Sequence, residues 1–189
     1  MRLCDKLLPA LLLCLLPGGI LAETAEEKGL AIAQEADRRD TGFGNYTNDV
    51  EMILKNKQGQ TSTRKIRSKT LEVADDGDKS LTIFDEPRDV QGTALLSFTH
   101  KEGPDDQWLY LPALKRVKRI SSDNKSGPFM GSEFAYEDIT SQEVDKYTYK
   151  YIRDDSLNDM DVFVFERYPK DKKSGYTRQI IWLDTENYK

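Results

Sequence analysis

Residues 108–140 read WLYLPALKRVKRISSDNKSGPFMGSEFAYEDIT. The stretch opens with the two-residue period of extended chain, Trp108 and Tyr110 on one face and Leu109 and Leu111 on the other. Pro112 has no amide hydrogen for a ladder and marks a turn. A second strand follows at residues 115–120. Lys115 and Arg119 share a face of it with Val117, and Arg116 and Lys118 share the other with Ile120. Charge on both faces places this strand at an edge or in a hairpin. There it serves either as cationic edge protection or as a docking site for anionic lipid head groups or an acidic partner, carried by Lys115, Arg116, Lys118 and Arg119.

Outward from this hairpin the strand pattern recurs along most of the chain. Tyr46, Val50, Met52 and Leu54 fall on one face of a strand, opposite Thr47, Asp49, Glu51 and Lys55. Further strands are expected at residues 61–73, 81–84, 94–100, 107–111, 146–152, 162–168 and 176–183, separated by Gly-, Pro- or Asp-containing turns. The one clear helix spans residues 24–39. Thr24 and Glu27 have capping-box spacing, Ala25, Leu30, Ile32, Ala33 and Ala36 make an apolar stripe, and Gly42 and Gly44 end it. There is no alternation of strand and helix, no internal repeat and no low-complexity linker. The expectation is a mainly β fold: a curved antiparallel sheet or incomplete β-barrel with an N-terminal helix, in one domain. The last strand stops a few residues before Lys189, which leaves an unpaired edge and raises the expectation of a C-terminally truncated domain.

The chain has 189 residues, 28 Lys and Arg against 33 Asp and Glu, and a formal net charge of −5. With 32% charged residues it is not a polytopic membrane protein, and 18 aromatic residues argue against disorder. The mild acidity speaks against generic nucleic-acid binding. Residues 1–22 have the layout of a secretory signal: Arg2 and Lys6, an apolar run over residues 7–16, the breakers Pro17, Gly18 and Gly19, and a small residue at Ala22 for cleavage. Both cysteines, Cys4 and Cys14, leave with it, and Leu13 does not supply the small residue a lipoprotein signal needs before Cys14. Residues 23–189 are therefore read as one exported, soluble domain without disulfides, and the destination as the periplasm.

Three short sets invite a catalytic reading. Ser62-Thr63-Arg64-Lys65 fits S-x-x-K, Ser122-Asp123-Asn124 fits S-D-N, and Lys173-Ser174-Gly175 approximates K-T-G, in the order of penicillin-recognising enzymes. That mechanism needs its serine at the start of a buried helix, and Ser62 lies in a polar strand or turn. His100 is the single histidine and is read as a strand-end residue. Asp154, Asp155, Asp159 and Asp161 lack the spacing, central Gly and terminal Glu of an EF-hand and are read as a solvated hairpin turn. The expectation is no enzyme, no cofactor and no metal site.

The aromatic pattern says more. Tyr147, Tyr149 and Tyr151 share a strand face, as do Phe163 with Phe165, Trp108 with Tyr110, and Ile180 with Trp182. A sheet with so aromatic a face either packs as an ordinary core or encloses a cavity for an apolar ligand, and one helix is little cover for so many strands.

The motif at residues 108–140 resembles the outer-membrane lipoprotein-sorting protein family of the LolA-like superfamily. The matching elements are Trp108-Leu109-Tyr110-Leu111-Pro112, the basic run at residues 115–119, Ser121-Ser122, and Phe129-Met130-Gly131-Ser132 followed by Phe134, Tyr136, Glu137 and Asp138. The resemblance extends more loosely from Gly42-Phe43-Gly44 to Trp182. It implies an incomplete antiparallel barrel with helices near its open side and an apolar face that holds acyl chains of lipoproteins or other lipids crossing the periplasm, with an inner-membrane transporter as partner. On this basis a carrier cavity is expected from Met52, Leu54, Phe98, Trp108, Tyr110, Phe163, Phe165 and Trp182, where each buried methylene contributes about 0.8 kcal/mol. The alternatives are a lipid or lipoprotein sensor acting on a membrane partner, and a hydrolase using the serine sets.

Overall fold

A computed structural model describes residues 22–189. The expected export segment lies outside the described residues except for Ala22. The helix α1 (Ala25–Asp40) begins as the spacing predicts. Thr24 Oγ1 accepts from the Glu27 amide at 3.1 Å, and the Glu27 carboxylate accepts from the Thr24 amide at 2.9 Å. Glu26 and Glu27 in its first turn and Arg38 and Arg39 in its last complement the helix dipole. At the far end Glu72 accepts from the amides of Gly42 and Gly44, whose positive φ angles of 90° and 68° suit glycine and turn the chain into the sheet.

Nine strands follow, all antiparallel: β1 (Asn45–Lys55), β2 (Thr61–Leu71), β3 (Lys79–Glu86), β4 (Ala94–Phe98), β5 (Asp106–Leu111), β6 (Arg116–Ile120), β7 (Tyr147–Leu157), β8 (Met160–Pro169) and β9 (Gln179–Asp184). The first six form one meander in chain order and the last three another, and neither closes into a barrel. The β7–β8 hairpin turns at Asn158 and Asp159, both with positive φ, so the acidic residues there decorate a two-residue hairpin turn.

The two sheets pack on different partners. One face of the six-stranded sheet buries Ile66, Phe84, Leu95, Leu109 and Ile120 against Phe129, with Met52, Met130, Tyr136 and Ile139 around them. Register explains the grouping, since Ile66 pairs with Phe84, Leu95 with Leu109 and Gln107 with Ile120, and paired residues share a face. The three-stranded sheet packs Tyr149 and Phe165 on Ile32 and Ala33 of α1. Gly29 lets the helix approach closely, for a Cβ there would lie 2.8 Å from the Tyr151 amide nitrogen.

A strap at residues 121–146 crosses from β6 to β7. It is built of short 3₁₀ turns, at Ser122–Asn124, Phe129–Gly131, Tyr136–Ile139 and Val144–Lys146. Pro128 and the positive φ of Met130 (50°) and Gly131 (75°) prevent a longer helix. Local polar bonds replace a helix ladder: Phe129 N–H donates to Phe134 O, Ser132 Oγ to Phe129 O at 2.7 Å, and Ala135 N–H to Asp138 Oδ2 at 2.7 Å. Among the described residues no buried side-chain nitrogen or oxygen is left without a partner.

Candidate functional site

The strap borders two concave places among the described residues. The first is a groove of about 540 Å³ where the β1–β2 hairpin meets the strap. Met52 and Leu54 project into it because alternation puts them on the face of Ile66, and Gly131, Ser132, Glu133 and Phe134 form the opposite wall. Met52 and Leu54 are half-buried, whereas the Phe134 ring is 53% exposed beside them. Arg64, the cross-strand partner of Met52, donates from Nη1 to the Met130 carbonyl at 2.5 Å and lies 5.8 Å from the centre of the Phe84 ring. This guanidinium ties strand to strap at the edge of the groove.

The second is a polar cleft of about 510 Å³ between the ends of the two sheets. Five lysines line it, at positions 101, 125, 146, 170 and 173, with Asp105, Glu137, Glu143, Asp145 and Asp171 among the carboxylates. Most of these charges hold the strap in place. Lys125 pairs with Asp171 at 2.6 Å, Lys146 pairs with Asp105, and Glu137 accepts from Ser174 Oγ and the Gly175 amide. Burial pushes the Glu143 carboxyl up, against the hydrogen bond from the Thr99 hydroxyl. Lys173 pairs with Asp123 at 2.7 Å. The three serine sets do not converge: Ser122 and Ser174 line this cleft, and Ser62 lines the groove.

The eight residues expected to line one cavity occupy four places. Met52 and Leu54 stand in the groove. Phe98, Trp108 and Tyr110 lie on the opposite face of the same sheet with Leu81, Ile83 and Leu96, and Phe98 and Trp108 stack edge-on at 5.3 Å. Phe165 is buried beneath α1, with Phe163 packed beside it on Tyr188, and Trp182 sits on the other side of that sheet, 46% exposed. Neither cavity is lined by all eight. Phe134 lines the groove and carries no cavity signal of its own in the sequence; the Phe129-Met130-Gly131-Ser132 motif is the nearest one. The basic run forms edge strand β6 as the charge on both faces requires, and Arg119 pairs with Asp106.

His100 stands just beyond β4. Its Nδ1 lies 2.7 Å from Asp76 and its Nε2 3.4 Å from Asp106. The Asp76 contact foremost, then that to Asp106, raises the imidazole above its usual 6.5, opposed by partial desolvation. The His100 bond, with the amides of Gly77 and Lys101, holds Asp76 down to about 2. A raised histidine contributes stability below 6.5 and loses it as pH rises through the folded value. A depressed aspartate contributes above its usual 3.8 and loses it as pH falls toward 2. Both contributions are therefore complete between about pH 4 and 6.5. Proton NMR of the single histidine should give a titration midpoint above 6.5, and Asp76→Asn should bring it down.

Comparison with known proteins places this geometry. A family profile described only as uncharacterized protein matches residues 76–189. None of the curated proteins matches the chain. Among solved structures, a domain from Vibrio parahaemolyticus, provisionally described as an outer membrane lipoprotein-sorting protein, is 62% identical with a TM-score of 0.84, over 87% of this chain and 69% of that one. A DUF1329 family protein from Desulfovibrio piger is 32% identical with a TM-score of 0.79, over 87% and 70%. A LolA superfamily protein from Nitrosomonas europaea shares the fold at 20% identity and a TM-score of 0.61, over 85% and 68%. With its open antiparallel meander, N-terminal helix and strap, this chain belongs to the outer-membrane lipoprotein-sorting protein family, and it shares its fold with the LolA superfamily protein.

Proposed function

We propose that the chain is a non-enzymatic periplasmic carrier that shelters acyl chains of lipoproteins or other lipids on their way to the outer membrane, with an inner-membrane transporter as the donor partner. The observation that carries this reading is the groove between β1 and the strap, with Met52 and Leu54 on one wall and a half-exposed Phe134 on the other. An aromatic ring left in water beside a methionine and a leucine gains by covering an apolar chain, and unbranched methionine adapts to its shape. Family membership agrees, because the Vibrio relative is described as a lipoprotein-sorting protein.

Titration with a dansyl-labelled fatty acid tests the proposal. Binding to the native chain should weaken by about tenfold or more in Leu54→Glu and in Phe134→Ser, since burial of one large apolar side chain corresponds to at least that factor. Both positions are partly exposed, so the unfolding transition should stay cooperative. Absence of binding, or equal binding by both variants and the native chain, overturns the groove as the acyl site. Native mass spectrometry of protein isolated from its own cells should show a bound lipid or acylated protein.

A further inference from the structure

We propose that the β5–β6 hairpin is a membrane-surface contact that seats on anionic lipid head groups. Between Asp106 and Asp123 the chain has four cations and no acidic residue, in a protein whose net charge is −5. Arg119 is paired with Asp106. Lys115, Arg116 and Lys118 are exposed, and among the described residues none of the three forms a salt bridge. The turn that joins the strands, at Pro112–Leu114, closes with Lys115 in the left-handed conformation, and Leu114 stands 64% exposed at its tip. Val117 is equally exposed on β6, paired across the ladder with Tyr110, with Trp108 next on the same face.

Edge protection accounts for only part of this. Cations on an edge strand discourage pairing with another sheet. Strand β1, the opposite edge of the same sheet, has Asp49 and Glu51 as well as Lys55, so this fold does not need a single sign of charge at its edges. Protection also gives no reason to expose leucine and valine among the cations. A phospholipid surface uses both features. Phosphates attract the unpaired cations, the aliphatic side chains enter the head-group boundary, and Tyr110 and Trp108 suit the interface with their amphipathic rings. The acidic remainder of the molecule is repelled by the same surface, which orients the hairpin toward it. An acidic protein would engage the cations and leave Leu114 without a role.

The contact is independent of what the groove at Met52 holds, so its failure leaves the carrier proposal standing. Flotation with phosphatidylcholine vesicles, with and without phosphatidylglycerol, tests it on the protein isolated as its cells process it. Binding should require phosphatidylglycerol and fall at high salt. The triple variant Lys115→Gln, Arg116→Gln, Lys118→Gln should bind phosphatidylglycerol vesicles no better than neutral ones. Leu114→Ser, with every cation retained, should weaken binding by about tenfold. Circular dichroism should report the native fold in each variant, because all four side chains are exposed. Three results overturn the proposal: no vesicle binding, equal binding to both vesicle types, or binding that Leu114→Ser leaves unchanged. The last would assign the cations to an acidic protein partner.

Discussion

Phe129→Ala should destabilise the protein by about 3–5 kcal/mol, a large share of the total stability of an ordinary domain. Phe129 is almost completely buried, with its ring 5.7 Å from Phe84 and 5.6 Å from Tyr136. It is the one strap side chain that fills the centre of the six-stranded sheet, among Ile66, Leu95, Leu109 and Ile120. The strap cannot collapse into the space left behind, because Arg64, Lys125 and Lys146 hold it from several sides. The cost is therefore lost transfer energy plus a cavity. Urea unfolding should show the lower midpoint, and trypsin should cut at Lys125 under conditions that spare the native chain. An unchanged midpoint would mean that the strap does not anchor the core.

Gly29→Ala should destabilise by about 1–3 kcal/mol, opposite in sign to its effect on helix propensity. In an isolated helix alanine is favoured over glycine by about 1 kcal/mol. Here the added Cβ would stand 2.8 Å from the Tyr151 nitrogen, 3.0 Å from the Lys150 nitrogen and 3.1 Å from the Lys150 carbonyl carbon. All three are backbone atoms of β7 and cannot rotate aside. The helix must lift, which separates Ile32 and Ala33 from Tyr149 and Phe165 and lengthens the 3.6 Å contact of the Lys28 ammonium over the Tyr151 ring. Thermal unfolding by circular dichroism gives the sign directly. A rise in melting temperature would show that α1 is not seated on this sheet as described.

Relations between residues close in the chain are legible in the amino-acid sequence itself. The capping box at Thr24 and Glu27 starts the helix, two-residue alternation sets which side chains of each strand share a face, and the charged pattern at residues 115–120 marks an edge. Each depends on a repeat or a bond of a few residues, which local sequence determines. The nine strands and their antiparallel order follow from the same signals. The motif at residues 108–140 carries enough information to identify the family.

Which faces meet is a different question, and only tertiary structure answers it. Trp108 and Tyr110 share a face, as do Met52 and Leu54, but alternation within a strand cannot say whether the two pairs look the same way. That depends on register across four intervening ladders and on one irregularity between Lys65 and Ile66, and a shift of one residue reverses every side chain. The break of the meander into two sheets, α1 beneath one and the strap on the other, separates Phe163 and Phe165 from the groove. Phe134 is a groove residue only because 3₁₀ turns and a left-handed Met130 carry the strap across β2. Local sequence determined the strands and their faces, whereas the pairing of distant faces, a sum of many weak contacts, determined the site.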